Sequence, residues 1–282
     1  MHVIVPRPAL RPFIGQLWAS TSTAQATGAR EHVLPTGQMH MVFRLSGPVL
    51  RIYADAADMV GNAIATPVLG GARSSFYIKE VAGPVMSVGA QLLPGAAQAL
   101  FGVSAAELAG GHVPLPDLWG ASADSVLQQL SNESDPQRQL ARLESLLAAH
   151  LPHDAALHPA VAQALAACAQ PGRIDAMVRE SHYSHRGFID LFRQATGLTP
   201  KRYARLMRFQ ALLSALRAQP TASLGTLAYD AGYADQAHMT REFRQFAGVT
   251  PSDYRLLAPA AANHVGLAPG QIYSRQRLRQ HL

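Results

Sequence analysis

Between Asp235 and Phe246 the sequence reads DQAHMTREFRQF. On a helical period Met239 and Phe243, at i and i+4, take one face and leave Gln236, Ala237, Thr240, Arg241 and Arg244 on the other. An amide, a hydroxyl and two guanidinium groups on one outward strip have the donors and acceptors that base edges and phosphates of a DNA major groove require. An ordinary solvated helix face would carry the same residue types. A second, less uniform strip comprises His185, Arg186, Ile189, Asp190 and Arg193, opposite an apolar side of Phe188, Leu191 and Phe192.

The elements that must hold these strips are written twice. FRQATGLTPKRY, from Phe192 to Tyr203, and FRQFAGVTPSDY, from Phe243 to Tyr254, lie 51 positions apart with seven of twelve residues identical. Each string is a helix stop joined to a helix start. Gly197 or Gly248 supplies a left-handed C-cap, Thr199 or Thr250 an N-cap, and Pro200 or Pro251 the first helical residue. The pairs Phe192/Tyr203 and Phe243/Tyr254 can then pack across the bend. Upstream of the second string, Ser223 to Asp230 predicts a short helix, Gly232 a turn and Asp235 an N-cap, which makes a helix-turn-helix. The first copy repeats the plan, with a short helix from Arg173 to Glu180, a turn at Ser181 to Tyr183 and an N-cap at Ser184. Ser181 fills the slot of Gly232, where a positive φ would cost about 1 kcal/mol, and Gly187 inside the helix costs about as much.

Between the copies, Pro200 to Arg217 runs without a breaker, a strut of roughly 27 Å. Such a strut suits two recognition helices placed in major grooves about 34 Å apart. Its first turn carries Lys201 and Arg202, where the helix dipole disfavours cations; the second copy has Ser252 and Asp253. Two cations beside N-terminal backbone amides suit a DNA phosphate, and two solvated side chains would read the same.

Charge is divided unevenly along the 282 residues. Residues 1–150 hold 9 Lys+Arg and 10 Asp+Glu, net −1; residues 151–282 hold 15 and 8, net +7. The basic half therefore suits a polyanion. No apolar run reaches the roughly 18 residues of a membrane span, and prolines interrupt the N-terminus where a secretory leader is apolar, so a cytoplasmic protein is expected. The single cysteine, Cys168, leaves no internal disulfide framework.

With these residues in view, the segment from about Ala155 to Leu257 resembles the DNA-binding domain of AraC-type transcriptional regulators, most closely in LAYDAGYADQAHMTREFRQFAGVTPSDYR. The resemblance implies a seven-helix domain whose two recognition helices enter adjacent major grooves of promoter DNA. It assigns base contacts to Arg186, Ile189, Asp190, Gln236, Ala237, Thr240 and Arg241. Phosphate contacts are assigned to His185, Arg193, Lys201, Arg202 and Arg244. Ile189 and Asp190 depart from a polar or basic expectation, and Ala237 offers only a methyl group.

In the first half, an alternating run would set Met39, Met41, Phe43 and Leu45 on one side, and PVLRIYA, SSFYIKEVA and PVMSVGAQLL are further β-rich pieces. Helical segments follow: GAAQALFG, a capping box at Ser104 with Glu107, SADSVLQQL and PQRQLARLESLLAAH. PTGQMHMVFRL and GAQLLPGAAQALFGVSAAELAGGHVPLPDLWG resemble an N-terminal domain found on some AraC-type regulators, which implies effector sensing or dimerisation. That pattern often carries an arginine where this chain has Leu93.

The expected architecture is α+β with two domains. Residues 1–150 form a small β-barrel or sandwich followed by helices, and 151–258 an all-α domain with two helix-turn-helix units joined by a long helix. Residues 259–282 form a basic flexible tail with Arg275, Arg277 and Arg279. The expected partners are double-stranded promoter DNA, a small-molecule effector, RNA polymerase if the chain activates, and a second copy; no metal or cofactor is called for. The alternative is a small-molecule-processing enzyme or alkyl-transfer repair protein that uses its basic half to reach DNA. Against it, His32, His40 and His112 lack the spacing of a metal-dependent barrel, and no Gly-x-Ser-x-Gly elbow, phosphate loop or dinucleotide fingerprint occurs.

Overall fold

The structure is a computed structural model and describes residues 1–22, 29–81, 83–167 and 183–267. The first half builds two antiparallel sheets. One has the order β1 (His2–Ile4), β2 (Ile14–Ser22), β9 (Val85–Leu92), β4 (Met39–Ser46), β7 (Val68–Gly70), β10 (His112–Pro114). The other has the order β11 (His264–Leu267), β3 (Arg30–Val33), β8 (Tyr77–Glu80), β5 (Leu50–Tyr53), β6 (Asn62–Ile64). Alternation in β4 buries Met39, Met41 and Phe43 and leaves His40, Val42 and Arg44 half-buried. It stops at Leu45, where the pairing with β9 shifts register between Arg44 and Ser46, so Leu45 does not continue the buried face.

Helices α1 (Ala96–Phe101), α2 (Ala105–Leu108), α3 (Pro116–Trp119), α4 (Ala121–Ser131) and α5 (Pro136–His150) follow the sheets. The capping box at Ser104 and Glu107 opens α2. The longest of them, α5, is capped by Asp135 and buries Leu140, Leu143 and Leu147 against β2. Beyond α6 (Pro159–Ala167) come α7 (His185–Thr196), α8 (Pro200–Ala218), α9 (Leu224–Asp230), α10 (Gln236–Ala247) and α11 (Pro251–Leu257). The expected first helix of the first helix-turn-helix, its Ser181 turn and Cys168 lie outside the described residues, as do Arg275, Arg277 and Arg279.

One expectation is corrected. The chain from 259 does not simply trail away: His264 to Leu267 form β11, paired antiparallel to β3 from His264↔Val33 to Leu267↔Arg30. Leu34 N donates to Asn263 O at 2.8 Å, which extends the ladder by one bond. Val265 is buried there, so an apolar side chain stabilises the return by leaving water. The helical half is thus followed by a strand that returns to the sheet of β3.

The two sheets share one apolar core, and polar side chains link them as well. Tyr77 of β8 touches His112 of β10 edge to face at 5.1 Å, and Arg73 Nη2 donates to His112 Nδ1 at 2.7 Å. Accepting there requires a lone pair on Nδ1, hence a neutral ring. Burial first, then Arg73, holds His112 down to about 4; burial, then His264, does the same to His40. Glu31 on β3 lies under His264 (2.7 Å) and Lys79 (3.0 Å). Its burial alone would raise its pKa, yet these partners hold it at about 2. The histidines therefore govern mild acid. Unfolded imidazoles protonate near 6.5, whereas the folded ones resist down to about 4, so stability is full above the first value and drains as pH falls toward the second. Glu31 begins to add its own loss only below its ordinary 4.5. Urea midpoints measured from pH 7.5 to 4 should fall across this window, and the slope should flatten when His40→Gln and His112→Gln are combined.

Candidate nucleic-acid interface

The second helix-turn-helix is complete within the described residues. Ser223 Oγ accepts from Thr226 N and starts α9; Gly232, at φ +76°, makes the turn; Asp235 accepts from His238 N and starts α10. The φ at Gly232 lies in the left-handed region, where a Cβ would be strained. Met239 and Phe243 are fully buried, and Phe209 of α8 meets Phe243 at 5.2 Å and Phe246 at 5.0 Å. Gln236, Ala237, Arg241 and Arg244 are exposed. Thr240 is half-buried, and its hydroxyl donates to Gln236 O at 2.8 Å, so that the hydrogen is used within the helix and the oxygen keeps its accepting capacity.

Glu242 belongs to this helix and was not legible as a functional residue. It is buried, and it accepts from Arg205 Nε at 2.6 Å and from Arg208 Nη2 at 2.9 Å, both on α8. Arg208 also donates to Gly232 O at 3.3 Å and lies 4.3 Å over the Tyr233 ring. One side chain thereby ties the strut to both the turn and the recognition helix. Burial and the nearby Glu242 push the Tyr233 phenol upward, so it stays protonated. The available signal was Arg205 and Arg208 three apart on the strut, with one acid among the arginines of α10.

The first recognition helix, α7, is capped by Ser184 Oγ, which accepts from Gly187 N at 3.1 Å. A Cβ on Gly187 would stand 3.2 Å from that oxygen, so the glycine keeps the cap close. His185, Arg186, Asp190 and Arg193 are exposed; Ile189 is half-buried rather than outward, and Phe188 and Phe192 are buried. The expected ring pairs close both bends: Phe192 with Tyr203 at 5.6 Å and Phe243 with Tyr254 at 5.7 Å, each edge to face. At the head of α8, Thr199 caps Arg202 N at 3.4 Å, while Lys201 and Arg202 are exposed. At the second joint Asp253 completes a capping box with Thr250.

Both joints rest on the first half of the chain. Gly197 and Gly248 have φ of +80° and +75°. Ala195 O accepts from Gly95 N at 2.8 Å, and its counterpart 51 positions on, Phe246 O, accepts from Phe76 N at 3.1 Å. Beside them Gln194 O accepts from Ser104 Oγ at 3.4 Å and Ala247 O from His32 Nδ1 at 2.9 Å. His32 is buried and stacks on Phe76 at 4.2 Å. The three histidines weighed as metal ligands thus part company: His32 lies under the second joint, and His40 and His112 lie on strands to either side of Gly70.

Comparison with known proteins gives two matches along the chain. Residues 177–256 match the family described as a helix-turn-helix domain, and residues 2–114 match a domain of unknown function, DUF6597. The HTH-type transcriptional activator RhaR of Pectobacterium carotovorum subsp. carotovorum is 31% identical over 90 residues, 32% of this chain and 31% of the relative. RhaR of Pectobacterium atrosepticum gives the same figures. The chain therefore spans under a third of the length of these curated relatives. Among solved structures, ToxT from Vibrio cholerae aligns with TM-score 0.43 and 11% identity, covering 85% of this chain and 98% of that one. The C-terminal domain of AraT, a response regulator from Geobacillus stearothermophilus, aligns with TM-score 0.33 and 18% identity over 36% and 86%.

Removing Glu242 would leave two guanidinium groups facing each other at the strut. Glu242→Ala should cost about 3 kcal/mol in urea denaturation, and Glu242→Gln, which fills the same space but offers one accepting oxygen to two guanidinium groups and no charge, most of that. A near-neutral Glu242→Gln beside a costly Glu242→Ala would assign the effect to packing.

Proposed function

We propose that this chain, which carries an AraC-type helix-turn-helix domain behind a DUF6597 domain, is a sequence-specific transcriptional regulator that inserts α7 and α10 into adjacent major grooves of promoter DNA. The observation that carries the reading is the second unit. Its recognition helix is fixed by a buried apolar back and an internal ion pair, while Gln236, Arg241 and Arg244 stay exposed on the other face. Direct readout falls mainly to Arg186, Gln236, Thr240 and Arg241, with a methyl contact from Ala237; Ile189 and Asp190 contribute shape and exclusion. His185, Arg193, Arg244, Lys201 and Arg202 hold phosphates. The regulator acts in the cytoplasm, and among the described residues no helix is long and apolar enough to cross a membrane. The sheet domain receives a small-molecule effector or a second copy, and RNA polymerase is a partner if the chain activates.

Selection of duplexes from a random-sequence pool by the full chain tests the reading, because an enzyme that uses its basic half for targeting would enrich none. On the selected duplex, Arg241→Ala should cost about 1–3 kcal/mol at one base position and relax preference there. A uniform loss over all sequences would reassign Arg241 to a phosphate. Neutralising Lys201 and Arg202 together should weaken all sequences alike and flatten the dependence of log K on log salt by about one to two phosphates. An unchanged slope would reject the clamp.

A further inference from the structure

The contacts beneath the two joints have a directional logic. An α-helix leaves its last carbonyls without partners, and in α7 and α10 these are the groups the sheet domain reaches. At the first joint Gly95 N and Ser104 Oγ serve Ala195 O and Gln194 O; at the second, Phe76 N and His32 Nδ1 serve Phe246 O and Ala247 O. Ala195 and Phe246 are equivalent positions of the repeat, so the same carbonyl is held twice by a backbone amide of the same domain. Close approach accompanies each bond. A Cβ on Gly197 would stand 3.0 Å from Ala105 O, and one on Gly248 2.6 Å from His32 Cε1. Neither recognition helix can tilt about its joint without breaking a backbone hydrogen bond.

These grips lie at the C-terminal ends of the two recognition helices, away from the first reading residue of each, while Arg241 stands about 7.5 Å along α10 from Phe246. From Arg186 to Ala195 along α7, and from Gln236 to Phe246 along α10, the separation is about 14 Å. Arg186, Gln236 and Arg241 are exposed while the grips are closed. A mask would cover the reading ends; here only the opposite ends are held. The strut is held as well, since Gln210 Nε2 donates to Pro35 O at 2.7 Å and to Asn263 Oδ1 at 3.0 Å.

We infer that the sheet domain is the jig that sets the spacing of the two recognition helices on DNA, with His32 as a positioning residue of the second one. The inference rests on the two-groove reading proposed above. It makes half-site spacing a property of the whole chain rather than of the strut.

The test uses the full chain and the duplex it selects, with derivatives carrying one or two base pairs inserted between the half-sites. Each insertion turns one half-site by about 34° and moves it by about 3.4 Å. Wild type should lose about ten-fold in affinity per insertion, a loss comparable to that for a mismatched base pair. His32→Phe keeps a ring against Phe76 and removes the donor to Ala247 O. It should bind the original duplex several-fold more weakly and the inserted duplexes with little further loss. His32→Asn, which retains a donor, should restore the sharp profile. Amide exchange in the wild-type chain needs no variant: Phe76 and Gly95 should stay protected when the duplex is bound. Tighter binding of the original duplex by His32→Phe, an unchanged spacing profile, or loss of protection at Phe76 and Gly95 on DNA binding would overturn the jig. A wild-type chain that selects a duplex yet tolerates every insertion would sink the two-groove reading instead, and the jig with it.

Discussion

Helix ends are electrically unfinished, and in this molecule two of them are finished by a different part of the chain. The last turn of α7 and of α10 points carbonyl oxygens at the sheet domain, and the glycine that follows removes the side chain that would keep the domains apart. Left-handed backbone at Gly197 and Gly248 serves two purposes at once. It bends the chain into the next helix, and it lets Ala105 in one case and His32 with Phe76 in the other come into contact with the bend. The repeated Gly-x-Thr-Pro string is consequently an interface as well as a corner.

Electrostatics divides the arginines of the helical half into two populations. Arg205 and Arg208 count toward its net +7, yet both spend their charge on Glu242 inside the molecule, and Arg217 donates to Pro259 O and Ala260 O. Arg186, Arg193, Arg241 and Arg244 are exposed and carry the outward field. A count along the sequence cannot separate the two, because the pairing partner lies 34 to 37 residues away on another helix. The internal triad also supplies what the first copy lacks. Leu191 occupies the position of Glu242, and α7 is held by α2 of the sheet domain in place of an ion pair with the strut.

The helices were legible because their ends are written in local chemistry. Ser184, Thr199, Asp235 and Thr250 cap where expected, since a cap involves residues two or three apart. The strands were legible only in part. Met39, Met41 and Phe43 alternate, whereas β2 and β11 carry no such mark: β2 shifts register between Ile14 and Gln16, and β11 is four residues following a Pro- and Ala-rich stretch. The outward strip of α10 could be read from periodicity. His32 could not, because nothing in REHV indicates that its ring will end against a carbonyl 215 residues later.

Topology explains why the sheet domain can govern the helices at all. Had the chain ended at α11, the hydrogen bonds at the two joints and at Gln210 would hold the helical half with no strand of its own in the sheet. Instead β11 pairs with β3, the strand that carries His32, so the return of the chain and the grip on the second joint share one element. Any change at the sheet that moves β3 must therefore carry both with it. β3 also bears Glu31, bonded to His264 of β11 and Lys79 of β8, which locks three neighbouring strands through one carboxylate.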